Sequence, residues 1–274
     1  MTQKTDQTYV LGTHDEEIER LGLQHRVWRP TVLQCWSNAG ITKGSKVIDI
    51  GAGPGYASVD LAEIVGASGE VLAVERSERF ISAARNACEI RGLTNVRFQA
   101  ADLMDDKICD SGFDASWCRW VASFVSDPAK LIEKISECLK PGGMAIFHEY
   151  LDYGTWRFAP RRLAIESFVK EVMESWRASG GEPDIALAIP TLLKEAGLEI
   201  ISVKPHVFTV TPGNFIWQWP VGFIEVNLAR LLELGRVTEE WVERVRAEVR
   251  MAEADPTTLM TTPIVLEIIA RKAR

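Results

Sequence analysis

Val47-Ile48-Asp49-Ile50-Gly51-Ala52-Gly53-Pro54-Gly55 decides the fold: residues suited to a buried strand run straight into a glycine-rich turn that opens a helix. Glycine has no Cβ, so this turn can be sharp and can let a ligand approach the backbone closely. Its place between strand and helix favours a nucleoside cofactor over a turn made for geometry alone. Further short apolar runs follow at residues 70–74, 96–100, 113–117 and 144–147, separated by helical stretches. That alternation predicts a parallel sheet wrapped by helices.

Either side of this core the pattern changes. Residues 14–38 carry Ile18, Leu21, Leu23, Val27, Val32, Leu33 and Trp36 among charged neighbours, which predicts two short amphipathic helices broken at Pro30. After Tyr150, Leu163, Ile165, Phe168, Val169, Val172, Met173 and Trp176 recur at helical spacing and end at Gly180-Gly181. A helix through Leu192 and Leu193 stops at Gly197, and residues 198–210 then alternate like one strand. Helices over 215–234 and 238–253 and a last strand over 264–269 complete the pattern. The expectation is a single domain over 1–274, with an N-terminal cover (1–43), a cofactor-binding core (44–150), and lid insertions with the last strands (151–274).

Composition narrows the partners. The 274 residues carry a formal net charge of −7 with no block of Lys and Arg that could neutralise successive phosphates, which speaks against nucleic acid and anionic membranes. No apolar run reaches the roughly 18 residues of a spanning helix, and Met1-Thr2-Gln3-Lys4-Thr5-Asp6 is polar, so neither membrane insertion nor secretion is expected. Disorder is expected over roughly the first ten residues. Cys35, Cys88, Cys109, Cys118 and Cys138 are scattered without a Cys-x-x-Cys pair, which suits a reducing cytoplasm and offers no zinc motif. His14, His25 and His206 have no partners at metal-ligand spacing, so no metal is assigned.

Dinucleotide binders prefer Gly-x-Gly-x-x-Gly, whereas Tyr56 occupies the last glycine position here. The turn is Gly-x-Gly-x-Gly, and it resembles the first motif of the class I S-adenosylmethionine-dependent methyltransferases. Glu75 closes the second strand, where its carboxylate could accept from both ribose hydroxyls; in that family this position binds the adenosyl ribose. Its structural alternative is an acid in the first turn of a helix, favoured by the helix dipole. Asp102, in Ala100-Ala101-Asp102-Leu103, matches the family's adenine-binding position, although an aspartate there could instead hold its own turn. Lys140-Pro141-Gly142-Gly143 resembles the family's turn before the fifth strand, and no Asp-Pro-Pro-Tyr motif of nucleic-acid methylases follows the fourth.

The resemblance covers essentially the whole chain. It implies a Rossmann-like, doubly wound α/β sheet of seven strands, mostly parallel with an antiparallel last strand, under a helical lid. It further implies S-adenosylmethionine as cofactor, held around Gly51, Gly53, Gly55, Glu75, Asp102, Leu103 and Cys118, and methyl transfer to an O, N or C atom of a small, partly apolar organic molecule. The rivals are a nicotinamide-dependent oxidoreductase, which Tyr56 argues against, and a protein that holds S-adenosylmethionine but catalyses a non-methyl reaction. The lid is a candidate homodimer contact.

Ligands gather at the carboxyl ends of strands in open α/β sheets. Strand five runs from apolar Ile146-Phe147 into His148-Glu149-Tyr150, and strand four delivers Arg119 and Trp120 to the same rim. His148, Glu149, Tyr150 and Tyr153 are therefore acceptor-side candidates, with His148 and Glu149 as catalytic candidates. His148 is the proton taker if the acceptor is a hydroxyl. The alternative is a buried Glu149–Arg119 ion pair with His148 on a backbone carbonyl. Nine tryptophans are many for this length, and Trp120, Trp156, Trp217 and Trp219 are candidates for substrate contact, although each could equally pack a helix onto the sheet. Gln24 and Arg29 in the cover are candidates for the methionine carboxylate or the acceptor.

Overall fold

The computed structural model describes residues 15–108 and 110–274. His14, Cys109 and the expected disordered start lie outside the described residues. In chain order the elements are α1 (Asp15–Asn38), β1 (Lys46–Ile50), α2 (Tyr56–Val65), β2 (Glu70–Glu75), α3 (Glu78–Ile90), β3 (Val96–Ala100), β4 (Phe113–Arg119), α4 (Pro128–Cys138) and β5 (Leu139–Asp152). There follow β6 (Arg157–Ala159), α5 (Leu163–Ala178), α6 (Ile189–Glu195), β7 (Leu198–His206), β8 (Thr209–Val210), α7 (Gln218–Glu233), α8 (Glu239–Ala254), β9 (Leu259–Thr261) and β10 (Ile264–Lys272). Among the described residues no helix is long and apolar enough to cross a membrane.

Seven strands form one sheet in the order β3-β2-β1-β4-β5-β10-β7. Neighbours from β3 to β5 are parallel, while β10 runs antiparallel to both β5 and β7. The order reverses between β1 and β4, which makes the crevice at their carboxyl ends the topological switch point. Successive side chains on a strand face opposite ways, and the core divides accordingly. Val47, Val71, Trp117 and Ile146 face α1, α2 and the lid helices, whereas Ile48, Leu72, Cys118 and Phe147 face α4 and α6. This is the doubly wound, seven-stranded arrangement the sequence predicts.

Two expectations are corrected. Pro30 does not break the cover: α1 is one helix that runs through it. Proline removes one i→i−4 bond, to the carbonyl of Arg26, but Pro30 and Arg26 are both exposed, so water can satisfy that oxygen. Burial of Val27, Trp28, Val32, Cys35 and Trp36 holds the helix together on its other side. Residues 198–210 are likewise two strands, because the chain turns at Val207-Phe208 and β8 leaves the large sheet for a small one ordered β6-β9-β8. Thr262 pins that departure: its backbone N–H donates to the Phe208 carbonyl (2.9 Å) and its Oγ1 accepts from the Phe208 N–H (3.1 Å).

Candidate active site

A cavity of about 800 Å³ opens over the switch point. Gly51 and Gly53 floor it and Glu75, Asp102 and Leu103 line one half, while Trp120, Tyr150, Trp176 and Phe223 line the other. Gly51 has φ +64°, and a Cβ there would lie 2.5 Å from Val121 Cγ2, so the residue must be glycine for the β1 turn to pass under the loop after β4. Glu75 Oε2 accepts from the Gly53 N–H (2.9 Å), and Oε1 accepts from the N–H groups of Arg76 and Ser77 (2.9 Å each). One carboxylate thus fixes the glycine turn and the start of α3. Asp102 Oδ1 accepts from the Met104 N–H (2.8 Å), so Asp102 holds its own turn while also facing the cavity.

Tyr56, in the position that a dinucleotide site gives to glycine, ties the cover down. Its hydroxyl donates to the Ile18 carbonyl (3.0 Å), and a Cβ on Gly22 would lie 2.8 Å from that oxygen. Helix α1 thereby brings Arg20 and Gln24 to the cavity wall. Gln24 Oε1 accepts from Trp219 Nε1 (3.2 Å) and from Arg20 Nη1 (3.2 Å). Arg29 instead pairs with Asp60 (2.7 Å) and does not line the cavity.

The aromatic half is built by stacking. Trp120 lies between Tyr150 (ring centroids 5.5 Å) and Trp219 (5.8 Å), with its backbone N–H donating to the His148 carbonyl (3.0 Å). Trp120 has φ 53°, the one positive value at a non-glycine among the described residues, and such strain collects where a side chain must be aimed. Trp176 of α5 stacks on Phe124 (4.4 Å) and donates from Nε1 to the Ser123 carbonyl (2.8 Å), docking the lid to the loop after β4.

Several sequence candidates lie elsewhere. His148 and Glu149 do not line the cavity. His148 is wholly buried, its Nε2 donating to Glu267 Oε2 (3.2 Å), and burial pulls its pKa down to about 4. Glu149 is also buried; its Oε1 accepts from the N–H groups of Val121 (2.8 Å) and Ala122 (2.9 Å), and burial pushes its carboxyl up to about 7. It therefore shapes the loop after β4, and the alternative reading, an ion pair with Arg119, does not form either. Gly55 packs against Ala84, Cys118 sits in the core, and Tyr153 packs behind Tyr150 (4.8 Å). Trp217 packs against Phe158 (5.6 Å), and Trp156 and Trp219 also stay off the cavity surface. β5 extends to Asp152, past the point where its sequence turns polar, and keeps His148 and Glu149 inside the sheet.

Two features escaped the sequence. His206 Nε2 also donates to Glu267 Oε2 (2.9 Å), and Cys35, His148 and Glu267 bring ligand-type atoms within 4.8 Å of one another, from three distant segments that no spacing rule links. The carboxylate there is the shared acceptor of two imidazole N–H groups, which hold it well below the usual range against the burial that would raise it. Asp49 is the other. It lines the cavity, accepts from Ser58 Oγ (2.5 Å), and is pushed up to about 7 by burial. Its place as the alternate residue of an apolar strand hid it.

Sheet order, glycine turn and strand-end carboxylates together define the class I methyltransferase fold. Comparison agrees: residues 41–182 match the family model described as a methyltransferase domain. This chain belongs to that family of S-adenosylmethionine-dependent methyltransferases. It is 30% identical over 127 residues to the ubiquinone/menaquinone biosynthesis C-methyltransferase UbiE of Idiomarina loihiensis, a match covering 46% of the chain and only about half (49%) of that relative. It is 27% identical over 202 residues to the demethylmenaquinone methyltransferase of Geobacillus kaustophilus, covering 68% and 83%. Among solved structures, the (4+2) cyclase SpnF shares the fold with a TM-score of 0.55 at 19% identity, covering 89% of this chain and 81% of that one.

Proposed function

We propose that this protein transfers a methyl group from S-adenosylmethionine to a small, partly apolar organic acceptor. The observation that carries this is one cavity with two unlike halves: Gly51, Gly53, Glu75 and Asp102 on one side, Trp120, Tyr150, Trp176 and Phe223 on the other. The residues fit the donor. Glu75 keeps a half-buried carboxylate at the end of β2 for the ribose, Asp102 and Leu103 flank the adenine, and the Cβ-free turn at Gly51 and Gly53 lets the backbone approach.

When bound, S-adenosylmethionine supplies an electrophilic methyl carbon on a sulfonium that leaves as a neutral thioether, so the leaving group needs no acid. What remains for the protein is alignment and exclusion of water. The stacked Trp120 and Tyr150 give the acceptor a rigid flat wall, and Trp176 with Phe223 closes the apolar side under the lid.

Calorimetry with S-adenosylhomocysteine is expected to give a single site on the wild-type protein, and Glu75→Gln is expected to weaken it about tenfold through loss of charge-assisted hydrogen bonds. Absence of binding by the wild type refutes the donor assignment. Product mass spectrometry after incubation with a methyl-labelled donor and candidate acceptors separates methyl transfer from a non-methyl reaction.

A further inference from the structure

Helix α4 is seated on the sheet by Leu131, Ile132 and Ile135, all fully buried, and its first turn is capped by Asp127, whose side chain accepts from the Lys130 N–H (3.0 Å). From this fixed helix the half-buried side chain of Lys134 reaches to the loop that follows β3. Its Nζ donates to the carbonyls of Leu103 (2.5 Å) and Asp106 (2.6 Å), with a longer bond to the Met104 carbonyl (3.4 Å). An ammonium carries three N–H donors and no acceptor, so the whole end of this side chain is engaged by one loop. The same loop holds three carboxylates within five residues, Asp102, Asp105 and Asp106, which repel one another, and the ammonium is a positive charge placed at its base.

The bonds inside the loop leave Leu103 to be fixed from outside. The Asp106 N–H donates to the Asp102 carbonyl (2.9 Å) and the Asp102 N–H donates to Asp106 Oδ2 (2.8 Å), which sets the peptide plane before Leu103. Lys134 holds the Leu103 carbonyl and so sets the plane after it. With both planes held, the φ and ψ of Leu103 are determined, since these are its only soft backbone dihedrals. The direction of its side chain into the cavity follows. Asp102 and Met104 line the cavity beside it, joined by the bond from the Met104 N–H to Asp102 Oδ1. Lys134 itself does not line the cavity.

We propose that Lys134 is a positioning residue for the purine ring of the methyl donor: acting from behind the loop, it sets how tightly and how selectively adenine is held between Asp102 and Leu103. This rests on the donor being S-adenosylmethionine. The adenine amino group can donate to the Asp102 carboxylate, whereas hypoxanthine presents an oxygen at that place, which a carboxylate repels. Discrimination between the two rings therefore depends on the carboxylate and the Leu103 backbone being held in register, and that is what the three carbonyl bonds secure.

The test titrates S-adenosylhomocysteine and its 6-oxo analogue S-inosylhomocysteine by calorimetry into the wild type, Lys134→Met, Lys134→Gln and Lys134→Arg, with thermal unfolding as the check on folding. Lys134→Met keeps the stem and removes all three donors; Lys134→Gln keeps an N–H donor group without the charge and serves in its place if the methionine variant does not fold. The wild type is expected to prefer the adenine ligand. In Lys134→Met or Lys134→Gln the affinity for S-adenosylhomocysteine is expected to fall about tenfold while that for S-inosylhomocysteine falls less, so that the ratio narrows, and Lys134→Arg is expected to recover part of both affinity and ratio. A role in stability alone lowers the melting temperature and leaves the ratio as it was. Unchanged S-adenosylhomocysteine affinity in a folded variant, an equal loss for both ligands, or a wild type that binds the two equally overturns the proposal. A wild type that binds neither ligand overturns the donor assignment itself.

Discussion

Glu149 and His148 are adjacent, both buried, and pull stability in opposite directions with pH. The carboxyl of Glu149 is raised to about 7 in the fold, so the folded state binds the extra proton between the ordinary carboxylate range and neutrality. Stability from this group is greatest at low pH and is lost as pH rises through that window. Glu149→Gln keeps an acceptor for the Val121 and Ala122 N–H groups without titrating. The gap between variant and wild type should widen by about 3 kcal/mol from pH 4.5 to pH 7 in urea unfolding; a constant gap refutes the raised carboxyl. His148, depressed to about 4, binds its proton more readily when unfolded. Its contribution is complete above about pH 6.5 and is lost as pH falls towards 4. His148→Gln should therefore flatten the acid side of the wild-type profile, and an unchanged acid limb speaks against a neutral buried imidazole. Neither role was legible from sequence. His148-Glu149-Tyr150 marks the polar end of a strand, but which side chains emerge depends on where pairing with β10 stops.

Helix α1 shows what periodicity captures and what it misses. Its apolar positions were legible, and so was its place as a cover, because Val27, Val32 and Trp36 mark a buried side. The break at Pro30 was overestimated, since local propensity was outweighed by packing on the opposite face. Pro30→Ala restores an N–H for the Arg26 carbonyl on an exposed surface. It is expected to stabilise the protein by about 1 kcal/mol or more, the gain in the helix being reduced by the greater freedom of the unfolded chain. A lower melting temperature for the variant indicates a helix bent to suit its core, with the proline fitting that bend.

At the scale of the molecule, the sheet and its glycine turn were the most legible features, since each strand carries its own apolar run and the turn its own glycines. The small sheet was hidden because strands of two or three residues have no measurable period. The aromatic half of the cavity was hidden for another reason: tryptophans that face it and tryptophans that pack behind it have the same composition and differ only in tertiary placement. Joining both halves in one cavity makes ligand binding a global stabiliser. Saturation with S-adenosylhomocysteine at about a hundred times its dissociation constant is expected to add about 2.7 kcal/mol to unfolding, read as a rise in melting temperature that scales with ligand concentration. No rise at saturation contradicts binding to the folded state.

Residues 264–272 sit between β5 and β7 and hydrogen-bond to both. Synthesis reaches this internal strand after every other strand of the sheet. Until it arrives, β5 presents an open edge and β7 has no neighbour in the large sheet. A nascent chain is thus exposed along those two edges, where stray pairing with another copy begins. Loss of a few residues from this segment would cost the sheet two seams at once, so proteolytic nicking near Ile264 should release α6 and β7 together while sparing the half that carries Gly51 and Glu75.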